Sequence, residues 1–146
     1  MSAEWVVVTL RADDYDAVCD LWQHAGLSIR PAGRDSRQQF VAQLAGGTQT
    51  VLGARVGDHL VGVVVATHDG RKGWINRLAV HPDYRHQGLG LRLISEAEQV
   101  LQVQGMQIIA ALIEDGNKPS LALFERAGYV DYPDVHYVTK RTSHDV

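Results

Sequence analysis

The sequence predicts an α/β (α+β) fold, with a mixed, mostly antiparallel sheet of six to seven strands flanked by about four helices. Three observations predict it. Apolar, β-branched runs at 50–56, 60–67 and 74–80 succeed one another through short glycine turns, as in an antiparallel meander. An amphipathic stretch and a further apolar run at 107–113 follow, a strand-helix-strand unit whose right-handed crossover makes its two strands parallel. Asn117 and Gly128 then bracket another amphipathic segment, as an N-cap and a C-terminal glycine do.

Taken in order, residues 5–10 (Trp-Val-Val-Val-Thr-Leu) suit a first strand, and Asp13 or Asp14 caps a helix through Tyr15, Val18, Leu21 and Trp22. Gly, Pro and Ser mark 26–35 as a long polar loop. Phe40, Val41 and Leu44 make a second helix ending at Gly46-Gly47. Gly57-Asp58-His59 is hairpin chemistry between the runs at 50–56 and 60–67. Asp69-Gly70-Arg71-Lys72-Gly73 turns the chain into 74–80, and Pro82 stops that strand. Leu89, Leu93, Ala97, Val100 and Leu101 recur at helical spacing opposite Arg92, Ser95, Glu96, Gln99 and Gln102. The run at 107–113 reads as a buried strand. Pro119 suits the first turn of a helix carrying Leu121, Leu123, Phe124 and Ala127, and 129–131 and 135–141 read as closing strands.

Length and composition bound the function. A chain of 146 residues is enough for one domain, 1–146, to bury a core without metal or disulfide staples. Its 45% hydrophobic and 21% charged residues are those of a soluble globular protein, and a net charge of -3 disfavours bulk nucleic-acid binding. Cys19 is the single cysteine, so no intrachain disulfide forms and a reducing cytoplasm fits. The amino terminus has no basic-then-apolar leader pattern, and no apolar run reaches the roughly 18 residues of a spanning helix. Seven histidines raise a metal reading, but His81 and His86 only flank Pro82 in a loop and no His-Glu-x-x-His or Cys-x-x-Cys pairing occurs.

The segment richest in function is Arg85-His86-Gln87-Gly88-Leu89-Gly90, between a strand and a helix. Two glycines let the backbone approach an anion closely, and the first amides of the helix then point at it with the positive end of the dipole. A dinucleotide fingerprint needs a third glycine where Leu93 stands. A P-loop needs Gly-Lys-Ser/Thr, whereas Gly90 is followed by Leu91-Arg92. Spacing thus removes two nucleotide folds and leaves a phosphate cradle.

The company of this loop names its ligand. Leu78-Ala79-Val80-His81-Pro82-Asp83-Tyr84 running into Arg85-His86-Gln87-Gly88-Leu89-Gly90 is similar to the strand and Arg/Gln-x-x-Gly-x-Gly/Ala signature of the GCN5-related N-acetyltransferase (GNAT) superfamily. Asn117, followed by Leu121-Ala122-Leu123-Phe124-Glu125-Arg126-Ala127-Gly128-Tyr129, resembles its Asn-containing helix ending in Gly-Phe or Gly-Tyr. The resemblance spans nearly the full length. It implies the GNAT fold, with a splayed parallel strand pair for acetyl-CoA between 74–80 and 107–113, and no metal. It implies pyrophosphate on the amides from His86 through Leu91, and pantetheine paired with main chain at Leu78 and Val80, with Ala79 between them. Arg85, Gln87 and Asn117 complete the implied cofactor contacts, together with Phe124, which stands where the family often has a tyrosine proposed to protonate the departing thiolate.

The implied reaction is acetyl transfer to a primary amine of a small molecule or a protein amino terminus, by direct attack in a ternary complex. An amine with a pKa of about 10.4 needs a base, whereas a thiol with a pKa of roughly 8.5 leaves tolerably without an acid. The family's frequent glutamate falls at Asn76, which takes no proton and is assigned to positioning water. Glu114 is the preferred base, with Asp115 and His136 behind it, and Tyr129, Tyr132 and Tyr137 are alternative acids. Arg30, Arg34, Arg37, Arg71 and Lys72 fall in segments that form the acceptor cleft in this family. An acceptor carrying a carboxylate or phosphate would use them, with Trp22 and Trp74 as apolar walls. The rival reading is a non-catalytic CoA-binding regulatory or interaction module that lost its acid and base at Phe124 and Asn76. Nothing near Cys19 lowers its pKa, so it reads as core. Pairing of two copies through 135–141 follows by analogy with the family.

Overall fold

The computed structural model describes residues 4–144. Five strands form one sheet in chain order: β1 (Val6–Thr9), β2 (Gln49–Val56), β3 (His59–His68), β4 (Gly73–Val80) and β5 (Ile109–Ala110). The first four are antiparallel neighbours, and β5 runs parallel to β4. Helices α1 (Tyr15–His24) and α2 (Arg37–Ala45) precede β2, while α3 (Leu89–Val103) and α4 (Lys118–Arg126) flank β5 in sequence. This is the predicted mixed, mostly antiparallel sheet with four helices, at a strand count below six.

Each face of the sheet has its own core. Leu89, Leu93, Ile94, Ala97 and Leu101 line one stripe of α3 and pack with Leu52, Val61, Val64, Ala66, Ile75 and Phe124. Val18, Leu21 and Trp22 of α1 and Phe40 of α2 pack on the other face with Val51, Val63, Val65 and Ala79. α3 lies close because Gly62 leaves room for it: a Cβ there would stand 2.8 Å from Leu93 Cδ1. Helix starts follow the expected chemistry at Asn117, whose Oδ1 accepts from Ser120 N at 3.3 Å. Asp14 instead accepts from Arg11 N and from the Arg55 guanidinium, so its side chain does not cap α1.

Two expectations about strands are corrected. The run at 107–113 keeps only two residues in the sheet, paired Gly73↔Ile109 and Trp74↔Ala110. Beyond them the chain leaves β4, so Leu112 is 56% exposed and Ile113 only half-buried, not a buried strand. Residues 129–131 and 135–141 form no strand, and Val130, Val135 and Val138 are exposed. β-Branched residues favour a strand only where a neighbouring strand takes their hydrogen bonds and packs their side chains. None lies beside these.

β4 carries one irregularity. Val63 pairs with Ala79 and Val65 with Asn76, so Arg77 and Leu78 stand opposite Val64 alone, and Arg77 takes φ of 49°. Residues four apart on a regular strand share a face. Across this bulge they do not: Ile75 packs with α3 and Ala79 with α1.

Candidate active site

The site is built where β4 and β5 part. A cavity of about 950 Å³ opens there, with Asn76, Arg77 and Leu78 on the β4 side and Ile113, Glu114 and Asp115 on the other. His81 N donates to Val61 O at 2.8 Å, which makes His81 and Val61 a hydrogen-bonded pair. By alternation the main-chain groups of Val80 face away from β3, toward the gap, while Leu78 lies in the bulge opposite Val64. A notch between two strands accepts an extended, amide-bearing arm along its wall, where Val80 O already accepts from Arg85 Nε at 3.3 Å.

The phosphate cradle lies at the end of the same strand. His86 (φ 62°) and Gly88 (φ 89°) both take left-handed conformations, and Gly88 is the N-cap of α3 with no side chain covering the helix start. The first helical bond runs from Arg92 N to Gly88 O, which leaves the amides of Leu89, Gly90 and Leu91 without acceptors inside the helix. Unspent amides at a positive helix end fit a pyrophosphate. The Arg85 side chain is directed elsewhere: Nε donates to Val80 O at 3.3 Å and Nη2 to Ala25 O at 3.1 Å, tying the loop to α1. Gln87 Nε2 donates to Asp83 O.

Several predicted residues meet in the cavity. Glu114 and Asn117 line it, with Asn117 N donating to Glu114 O at 2.9 Å in the turn that joins them. Asn117 spends its Oδ1 on the α4 cap and keeps its amide NH2. Phe124, 6% exposed, forms one apolar wall and meets Tyr129 edge to face at 5.0 Å. Asn76 donates to Thr67 Oγ1 at 3.2 Å, and both line the cavity, as does Trp22. Arg30 and Trp74 do not. Arg30 lies in the exposed loop, where its backbone N–H donates to Asp35 Oδ2 and its carbonyl accepts from the N–H groups of Gly33 and Asp35. Trp74 belongs to the part of β4 still paired with β5, where Lys72 Nζ lies 5.3 Å from its ring. Ala79 is 3% exposed against α1 and pairs with Val63 of β3, so its side chain does not enter the gap.

The alternative acids and nucleophile separate on position. The Tyr129 hydroxyl donates to Glu98 at 2.8 Å, and burial together with that carboxylate pushes its pKa well up. Tyr132 and His136 are not among the lining residues, whereas Tyr137 is. Burial also pushes the Cys19 thiol up, which suits a packed side chain and not a nucleophile. Of the basic residues singled out, only Arg34 lines the cavity; Arg37 pairs with Asp16 at 2.7 Å. Arg77 and Asp35 were missed. An arginine within the apolar run 74–80 was the available signal.

No group of three or more His, Cys, Asp or Glu among the described residues is arranged to hold a metal ion. Nor is any helix among them long and apolar enough to cross a membrane.

A main-chain notch beside a helix-terminal anion cradle is a site for a long, phosphate-bearing thioester. Comparison with known proteins agrees. Residues 15–129 match the Acetyltransferase (GNAT) family. The chain is 32% identical over 119 residues to an acetyltransferase of Pectobacterium atrosepticum, covering 82% of this chain and 83% of that protein. It is 30% identical over 135 residues to an acetyltransferase of Sodalis glossinidius, covering 92% and 94%. Among solved structures it resembles aminoglycoside N-acetyltransferase AAC(6')-Iy bound to a CoA-containing bisubstrate analogue, with TM-score 0.78, 14% identity and coverage of 95% and 99%. It also resembles the PaiA N-acetyltransferase of Thermoplasma acidophilum in complex with coenzyme A, with TM-score 0.70, 17% identity and coverage of 84% and 87%. The chain belongs to the GNAT family and is an acetyl-CoA-dependent N-acetyltransferase.

Proposed function

We propose that the enzyme acetylates a primary amine of a small molecule or a protein amino terminus by direct attack, with donor and acceptor both bound in the cavity at the β4–β5 gap. One observation carries this reading: Glu114 and the β4 residues Asn76 to Leu78 line one open cavity at the gap, and the uncapped α3 amides lie in the loop that follows the same strand. The amides of His86 through Leu91 hold the pyrophosphate. The main chain of Leu78 and Val80 holds the pantetheine and polarises the thioester carbonyl, a donor set in place before charge develops. Glu114 accepts the amine proton directly or through a water that Asn76 orients. Phe124 supplies no proton, so the thiolate leaves to water or to Tyr137. Positioning and carbonyl polarisation do most of the work.

Thiol release from acetyl-CoA across an amine panel tests the reaction. Glu114→Gln is expected to lower kcat by about 10²-fold or more, the ordinary contribution of a general base, and to shift the rise of rate with pH to the pKa of the acceptor amine itself. An unchanged pH-rate profile would remove Glu114 from this role. Phe124→Tyr is expected to leave acetyl-CoA KM within about threefold, since ring volume is nearly conserved.

Location and assembly belong to the same proposal. The lone cysteine suits the cytoplasm. The open edge of β5 and the exposed Val135, Tyr137 and Val138 support pairing of two copies through 135–141. Sedimentation velocity on the wild type and on Val138→Lys reads this directly, with a dimer expected in the first and a monomer in the second.

A further inference from the structure

We propose that the acceptor half of the cavity contains a recognition corner for a monoanion, formed by Arg34 and Arg77 against Trp22, and that the enzyme selects amines that carry a carboxylate. This rests on the transferase reading above and adds the class of acceptor. The bulge in β4 sets Arg77 in the left-handed region, and its guanidinium carbon lies 4.2 Å from the centre of the Trp22 ring. Nη2 donates to Ser28 O at 3.2 Å and lies 3.6 Å from Asp35 Oδ2, while Nε is buried without a partner. Arg34 Nε stands 3.9 Å from the same carboxylate oxygen, which also accepts from Arg30 N at 2.7 Å.

Charge decides what fits. Two guanidinium groups share one carboxylate, which leaves one positive charge in excess at this corner; Arg141, Glu114 and Asp115 also line the cavity. Asp35 is only 9% exposed and Arg77 26%, so this excess is poorly screened by water. Burial holds the Arg77 pKa below its usual value and Arg34 adds to the effect, while Asp35 opposes it. A bound monoanion offsets that imbalance; a dianion would place a surplus negative charge beside Asp35. Arg34 is the more accessible partner, 45% exposed and 3.9 Å from Asp35, and its guanidinium fork suits a ligand carboxylate in the bidentate manner of arginine.

The remaining walls match the rest of such a molecule. Leu27, Phe40 and Val65 line the cavity beside Trp22 and suit an aliphatic body. Arg34, Arg77 and Glu114 all line this one cavity. Anion corner and base therefore open on the same space, as the carboxylate and amine of one amino acid require.

The test compares leucine, leucinamide, isopentylamine and the aminophosphonic acid analogue of leucine as acceptors, with rates referred to the neutral amine. Wild type is expected to favour leucine over leucinamide and isopentylamine by about tenfold or more in kcat/KM, the size of one hydrogen-bonded charge pair. The phosphonate should be weaker than leucine at a pH where it is dianionic. Arg34→Gln should remove the preference and leave KM for acetyl-CoA unchanged. Arg77→Gln should do the same; if that variant fails to fold, Arg34→Gln carries the test. Equal use of leucine and leucinamide, or a preference that survives Arg34→Gln, would overturn the anion corner alone. Preference for the phosphonate would overturn the monoanion match. Absence of transfer to every amine would overturn the transferase reading and this inference with it.

Discussion

Leu93→Ala is expected to lower the free energy of unfolding by about 2–5 kcal/mol, the usual cost of removing a buried leucine and leaving a cavity. Leu93 is wholly buried on α3, and its Cδ1 approaches Gly62 on β3 more closely than any side chain there would allow. The packing cannot simply close over the loss, because the β3 backbone and the Ala97 and Leu89 positions of the same helix hold the gap open. Urea unfolding measures it: the midpoint should fall with little change in slope. Acetyl-CoA at a hundred times its Kd should stabilise wild type and variant alike by about 2.7 kcal/mol, because binding favours the folded chain.

Gly88→Val is the second large effect, and it falls on binding. Gly88 has φ of 89° and ψ of 3°, where a Cβ costs about 1–2 kcal/mol and a β-branched residue more. Either the loop keeps its shape at that cost or it relaxes and turns the amides of Leu89 and Gly90 away from the pyrophosphate. KM for acetyl-CoA is expected to rise by about tenfold or more, which corresponds to roughly 1.4 kcal/mol. Gly57→Val is the control. Gly57 also has positive φ, 59°, but sits in the β2–β3 hairpin remote from the cradle. It should lower stability and leave KM unchanged. Equal KM effects at the two positions would show that the cradle plays no special part.

Much of the fold was legible because the signals are local. The face of α3 is written in the spacing of Leu89, Leu93, Ala97 and Leu101, and the hairpin in Gly57-Asp58-His59. The Asn117 cap and the left-handed Gly88 also act within a few residues of themselves. The closing strands were not legible. The β-branched residues at 130, 135 and 138 have strand propensity, but propensity becomes a strand only when a partner edge is present. The site divides the same way. Asn117 and Phe124 follow their motif into the cavity and Glu114 reaches it from the end of the 107–113 run, while Arg30 and Trp74 do not reach it. Nothing in the spacing of 74–80 shows that the strand bulges at Arg77, since the cause is its register with β3.

By itself the sequence determined the order of elements, the helical faces, the glycine loop and hence the phosphate-bearing donor. These depend on periodicity, turn chemistry and capping, all of which act along the chain. Only the tertiary structure decided where β4 and β5 part, which arginine turns toward Trp22, and that Asp35 binds Arg30, Arg34 and Arg77 through one oxygen. The strand register and the contacts of Arg77 with Trp22 and Asp35 join residues far apart in the chain, where no local pattern reports them. The donor site is a local pattern and the acceptor site is a long-range one.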